Sequence, residues 1–165
     1  MTILVEVLDE AGAHISSHGV TGLVTAVLEA EQAEGAVSVV FVDEPVMAGL
    51  NRRYRDLNEP TDVLSFAEEP DEDHWFGRRP DESEADTGEP RSLGELVVCP
   101  AVVRRYAAEE GSEPGGQMAW TIVHGVLHLL GYDHEVDKGE MREREQVLLG
   151  SLSLLTSSLL AAENT

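Results

Sequence analysis

Three histidines fall within one short stretch of a 165-residue chain, at positions 124, 128 and 134. A neutral imidazole presents a ring-nitrogen lone pair, so histidines gathered at regular spacing form a metal-binding set. His124 and His128 stand four residues apart in a run, Met118 to Leu130, that reads as helix. At 3.6 residues per turn they lie about 40° apart on one face, one turn above the other. Two rings so placed can hold one cation without distorting the backbone. Gly131 follows where a helix commonly ends in a left-handed residue. The chain can turn there and bring His134 back as a third ligand. Three imidazoles suit zinc, one ion per chain, and leave a fourth position open for water or substrate, which separates catalytic from closed structural sites. Asp133, or another nearby carboxylate, is the expected outer partner that fixes a ligand's tautomer.

The spacing His-x3-His-x2-Gly-x2-His is shared with the metzincin peptidases, in which a glutamate follows the first histidine as general base. Here that position is Gly125, which has no side chain to move a proton. The full string, HGVLHLLGYDH, resembles the signature of the YbeY family of bacterial metal-dependent endoribonucleases. Two further segments are similar to that family: Leu50-Asn-Arg-Arg-Tyr-Arg55 followed by Pro60-Thr-Asp-Val-Leu-Ser-Phe66, and Leu93-Gly-Glu-Leu-Val-Val-Cys99. Order and spacing agree from about residue 37 to 150. The resemblance implies a zinc-dependent, single-strand-specific endoribonuclease that acts in late 16S rRNA 3′-end maturation and ribosome quality control. It implies precursor 16S rRNA and the small ribosomal subunit as partners, with no DNA. It also matches Arg55 to an arginine near the metal, where a guanidinium can hold a phosphate or stabilise developing negative charge. Leu57 stands where many members carry a second basic residue. Zinc would lower the pKa of a bound water or polarise a phosphoryl oxygen, and the attacking group is either water or the RNA 2′-hydroxyl. The rival readings are a metzincin-like zinc peptidase and a non-catalytic ribosome assembly factor with structural zinc.

The elements that must position these residues alternate between strand and helix patterns. Thr2 to Leu8 alternates as a first strand. Gly22 to Ala33 reads as amphipathic helix, with Ser16, Ser17 or Thr21 at its start and Gly35 at its end. Val37 to Val42 is a β-branched strand. Asp43 caps a helix with Pro45 in its first turn, carrying Met47, Leu50 and Tyr54 on one face and the arginines largely on another. Thr61 to Phe66 and Leu93 to Cys99 are strands, the latter with Glu95 pointing opposite Leu96. Pro100 opens a helix to Glu110, and Gly111 to Gly116 forms a loop into the histidine helix. Lys138 to Leu149 is a charged amphipathic helix, and Ser151 to Ala162 extends or frays from it. His14 and His18, also four apart, fall in a loop-like stretch and read as solvent-exposed.

The expected fold is α/β (α+β): a single domain over 1–165, with a small mixed sheet, helices packed on it and a central helix carrying the histidines. Residues 67–92 interrupt it as an acidic surface loop without periodicity, in which His74-Trp75-Phe76 is the apolar foothold. Residues 68 to 95 hold eleven Asp or Glu against three Arg, a large part of the acidic excess behind a net charge of −21. That charge opposes the basic footprint expected of an RNA-acting protein and serves solubility instead. Arg52, Arg53 and Arg55 form the local exception. One cysteine, Cys99, precludes an intrachain disulfide, fits a reducing cytoplasm and reads as a small buried hydrophobe. No apolar run reaches membrane-spanning length, and the N-terminus lacks a signal-peptide pattern.

Overall fold

A computed structural model of the chain describes residues 2–68, 90–133 and 137–152. The interior of the acidic insertion, with His74-Trp75-Phe76, the tail beyond Leu152, and His134 lie outside the described residues. In chain order the elements are β1 (Ile3–Asp9), α1 (Ser17–Ala30), β2 (Gly35–Phe41), α2 (Glu44–Arg55), β3 (Val63–Ala67), β4 (Ser92–Val98), α3 (Pro100–Glu110), α4 (Pro114–Leu129) and α5 (Glu140–Ser151).

The strands form one mixed sheet in the order β1-β2-β4-β3, with β1, β2 and β4 parallel and β3 antiparallel at the edge. Parallel neighbours require crossovers, and α1 and α2 supply the chain for them. Along β2 the odd positions Val37, Val39 and Phe41 are buried, as is Leu96 beside the exposed Glu95 of β4. This period-2 pattern turns one apolar face toward α1 and α4. Val20, Leu23, Val24 and Val27 of α1 meet Met118, Ile122, Val123 and Val126 of α4 in one core. Burial of that many aliphatic side chains, at about 25 cal/mol per Å² of apolar surface, is the main favourable contribution to folding. The histidine helix is therefore a core element, with Thr121, Ile122, Val123, Gly125 and Val126 all buried.

Several boundaries differ from the sequence expectation. α1 begins at Ser17 because the Ser16 hydroxyl accepts the backbone N–H of Gly19 at 3.0 Å, so His18 lies in the helix rather than in a loop. His14 and His18 are exposed, as expected. The helix ends at Ala30, and Gly35 begins the next strand instead of ending the helix. α4 starts at Pro114, inside the stretch expected to be loop. Proline at the first helical position outweighs the two glycines behind it. Tyr54 was expected on the apolar face of α2 with Met47 and Leu50, yet it is 58% exposed.

Candidate metal and substrate site

Local chain chemistry fixes the end of α4. Leu130 is its C-cap and Gly131 adopts φ +100°, a conformation that side-chain-bearing residues rarely take. The Gly131 N–H donates to the His128 carbonyl at 3.0 Å, and the Tyr132 N–H donates to the Leu127 carbonyl at 3.0 Å. This Schellman arrangement reverses the chain and folds the Tyr132 carbonyl back toward the helix. That carbonyl lies 3.0 Å from Nδ1 of His128. A carbonyl only accepts, so Nδ1 of the neutral ring carries the proton and Nε2 is the atom that offers a lone pair.

His124 is held in the same way by a more distant element. Its Nδ1 lies 2.5 Å from Oε1 of Glu145 on α5. Glu145 is 6% exposed and its other oxygen accepts Nε1–H of Trp120 at 3.2 Å. The Trp120 ring stacks on His124 with centroids 4.8 Å apart and planes at 24°. With both Nδ1 atoms engaged outside, the two Nε2 atoms face each other at 3.0 Å. Two nitrogens on one tetrahedral zinc at about 2.0–2.1 Å would stand about 3.3 Å apart. The donor set thus fits one shared cation, with each ligand oriented by an outer acceptor as metal-bound histidines usually are. Among the described residues no group of three His, Cys, Asp or Glu side chains gathers at metal-ligating spacing. The expected third ligand, His134, lies outside the described residues.

A second acidic group secures this frame from behind. Glu31, the C-cap of α1, accepts the Tyr132 hydroxyl at 3.1 Å and both Nε and Nη2 of Arg144 at 3.1 Å. Tyr132 supplies the carbonyl on His128, and Arg144 precedes Glu145 on α5. One carboxylate therefore ties down both outer partners. The bidentate geometry makes it a strong pair.

Gly125 packs closely against Leu96. A Cβ there would sit 2.8 Å from Cδ2 of Leu96 and 3.4 Å from the Ser65 hydroxyl. That hydroxyl donates to the Gly125 carbonyl at 3.3 Å, which draws α4 onto β3. The close approach favours glycine at this position, since any side chain there would have to displace Leu96.

The histidines open into a cavity of about 610 Å³ whose opposite wall is the end of α2 and strand β3. Tyr54, Arg55, Asp62, Ser65, Phe66 and Trp120 line it together with His124 and His128. Arg55, singled out from the sequence, is thus brought to the same cavity as the histidines. It is exposed and enters no ion pair among the described residues. Its position follows from local structure: Asp56 ends α2 in a left-handed conformation, and the buried Asn51 donates Nδ2–H to the Glu59 carbonyl at 2.8 Å. That bond pins the turn leading into β3. Asp62 starts the strand, its Oδ1 accepting the Val63 N–H at 2.8 Å.

Sequence reasoning missed Glu145, Tyr132 and Trp120 as partners of the histidines. It placed the outer carboxylate at or near Asp133. Trp120, four residues before His124 on the same helix face, carried a usable signal. Glu145, on a separate helix, carried none.

Comparison with known proteins gives a consistent result. The family model described as Endoribonuclease YbeY matches residues 9–153. The Endoribonuclease YbeY of Roseiflexus castenholzii is 41% identical over 155 residues, covering 91% of this chain and 92% of the relative. That of Pelotomaculum thermopropionicum is 42% identical over 142 residues, covering 81% and 87%. The solution structure of TM1509 from Thermotoga maritima aligns with a TM-score of 0.57 at 26% identity, covering 91% of this chain and 92% of that one.

Proposed function

The chain belongs to the YbeY endoribonuclease family, and from that premise we propose that it is a zinc-dependent endoribonuclease that cleaves single-stranded RNA. Its proposed substrate is the 3′ end of precursor 16S rRNA on the small ribosomal subunit, in late maturation and ribosome quality control, and its proposed compartment is the cytoplasm. Among the described residues no helix is long and apolar enough to cross a membrane. The observation that carries the reading is the convergence, in one cavity, of two facing imidazole Nε2 atoms and an exposed arginine.

In this reading His124, His128 and His134 hold one zinc ion. When bound, zinc supplies Lewis acidity toward a phosphoryl oxygen and acidifies a coordinated water. The chain's own residues do the rest. Glu145 and the Tyr132 carbonyl lock the imidazoles so that lone pairs, not N–H groups, face the cavity. Trp120 covers one side of His124 and limits its solvent access. Arg55 offers planar N–H donors to the non-bridging oxygens of a phosphodiester, which become more negative as the reaction proceeds. Asp62 is the one carboxylate lining the cavity among the described residues.

Gly125 supplies no general base, which disfavours the peptidase alternative, and a side chain there would have to displace Leu96. The experiment is cleavage of a labelled single-stranded RNA by the full chain and by His124→Ala. The expected result is internal cleavage by the first and loss of at least about a hundredfold in the second, which still folds but with reduced stability. Equal activity of the two proteins would refute the site assignment. A His124→Ala chain that still supports ribosome maturation would favour an assembly factor.

A further inference from the structure

Tyr54 closes α2 beside Arg55 and is 58% exposed, although Met47, two turns earlier on its face, is fully buried. It is not loose. The Phe66 ring of β3 meets it edge-on, with centroids 5.0 Å apart and planes at 67°. Phe66 is itself only partly buried, and both rings line the cavity that holds His124, His128 and Arg55. Burial does not account for a large aromatic set edge-on against Phe66 at the mouth of a cavity.

The chain's charge sharpens the question. RNA-binding proteins usually draw affinity from many Lys or Arg contacts to phosphates. This chain carries a net charge of −21, and Arg55 is the one Lys or Arg lining the cavity among the described residues. Affinity for RNA at this site must rest on a contact that charge does not oppose. Stacking of a base on an aromatic ring is such a contact, and it tolerates any base because each has a π-face.

Resting on the endoribonuclease reading, we propose that Tyr54, braced by Phe66, is the stacking subsite for one unpaired nucleobase of the RNA strand, next to the phosphate held by Arg55. A paired base is already stacked inside its duplex and cannot reach the ring, so this subsite also selects single strands. Tyr54 is here a binding residue. Its contribution falls on substrate affinity more than on the chemical step.

The test uses the full chain with zinc and a single-stranded RNA, intact or carrying one abasic nucleotide at successive positions near the cleavage point. In the unmodified protein, one abasic position should raise KM on the order of tenfold. Tyr54→Ala should raise KM for intact RNA by a similar factor, leave kcat within about threefold, and erase sensitivity to that abasic position. Tyr54→Phe, which keeps the ring, should behave as the unmodified protein. Retention of the original KM by Tyr54→Ala, or of its abasic sensitivity, would overturn the subsite while leaving the endoribonuclease reading intact. Absence of cleavage of any RNA by the unmodified protein would overturn both.

Discussion

The two walls of the cavity are built to different standards. On the histidine wall, each imidazole is anchored by an outer acceptor, the buried Glu145 or the part-buried Tyr132 carbonyl, and those acceptors are anchored in turn by Glu31 through Tyr132 and Arg144. The helix beneath them is part of the main core. On the opposite wall, Arg55 and Tyr54 are exposed and stand on the last turn of a short helix, backed by the smaller cluster of Met47, Leu64, Val97 and Val102. A cation needs ligands fixed to within tenths of an ångström, whereas a flexible polyanion needs a few adaptable contacts. Mutations on the first wall should therefore cost stability and metal affinity together. Mutations on the second should cost RNA handling alone.

The largest effect is expected where the two walls meet. Gly94 has φ +137°, and a Cβ there would lie 2.3 Å from the Phe66 carbonyl and 2.8 Å from Cδ2 of Leu129. Gly94→Ala should destabilise the chain by on the order of 3 kcal/mol or leave it unfolded, since backbone of β3 cannot yield without losing its pairing to β4. Denaturant midpoints measure this directly. A loss below about 1 kcal/mol would mean that β3 is not held as described.

Next comes Glu145→Ala, which strips a buried acceptor from both His124 and Trp120. A loss of about 1–3 kcal/mol is expected, with zinc affinity weakened about 10–100-fold in a chelator competition. Glu31→Ala should do the same more weakly, at about 1–2 kcal/mol, because it acts one step further out. If Glu31→Ala weakened zinc binding as much as Glu145→Ala, the ordering of the histidine wall proposed here would be wrong.

Arg55→Ala should separate the walls most cleanly. As an exposed residue it should shift stability by no more than about 0.5 kcal/mol and leave zinc content unchanged. Single-turnover cleavage of RNA should nevertheless fall by about 10²–10³-fold. An undiminished rate would remove Arg55 from the site. The smallest effect concerns Cys99, fully buried at the end of β4, where burial pushes the thiol above its ordinary value. It should resist alkylation in the native chain near pH 8 and react only on unfolding. Rapid native labelling would contradict its packing.

Much of the histidine wall was legible in the sequence because its information is local. Four-residue spacing, the glycine stop and the apolar run around them specify the helix, its face and its end, and Gly131 adopts the left-handed conformation that role requires. The same holds for Asp43, which caps α2 through a 3.0 Å bond to the Val46 N–H. What lay beyond reach depends on tertiary contact. Glu145 is separated from His124 by 21 residues and by the stretch containing His134, so no helical spacing links the two. Tyr54 shares a helical face with Met47, but on the last turn of α2 its ring stands exposed, edge-on to the part-buried Phe66 of the edge strand β3, instead of in the core. Periodicity reports which face a residue occupies, not how far the neighbouring layer extends.

The most direct test of a metal-dependent endoribonuclease is a cleavage assay on single-stranded RNA with the full chain as purified, after exhaustive chelation, and after return of one equivalent of zinc. Chelation should abolish cleavage, and zinc should restore it in the wild-type chain but not in His128→Ala. Cleavage that survives chelation with no bound metal, or restoration by zinc in the absence of His128, would contradict it.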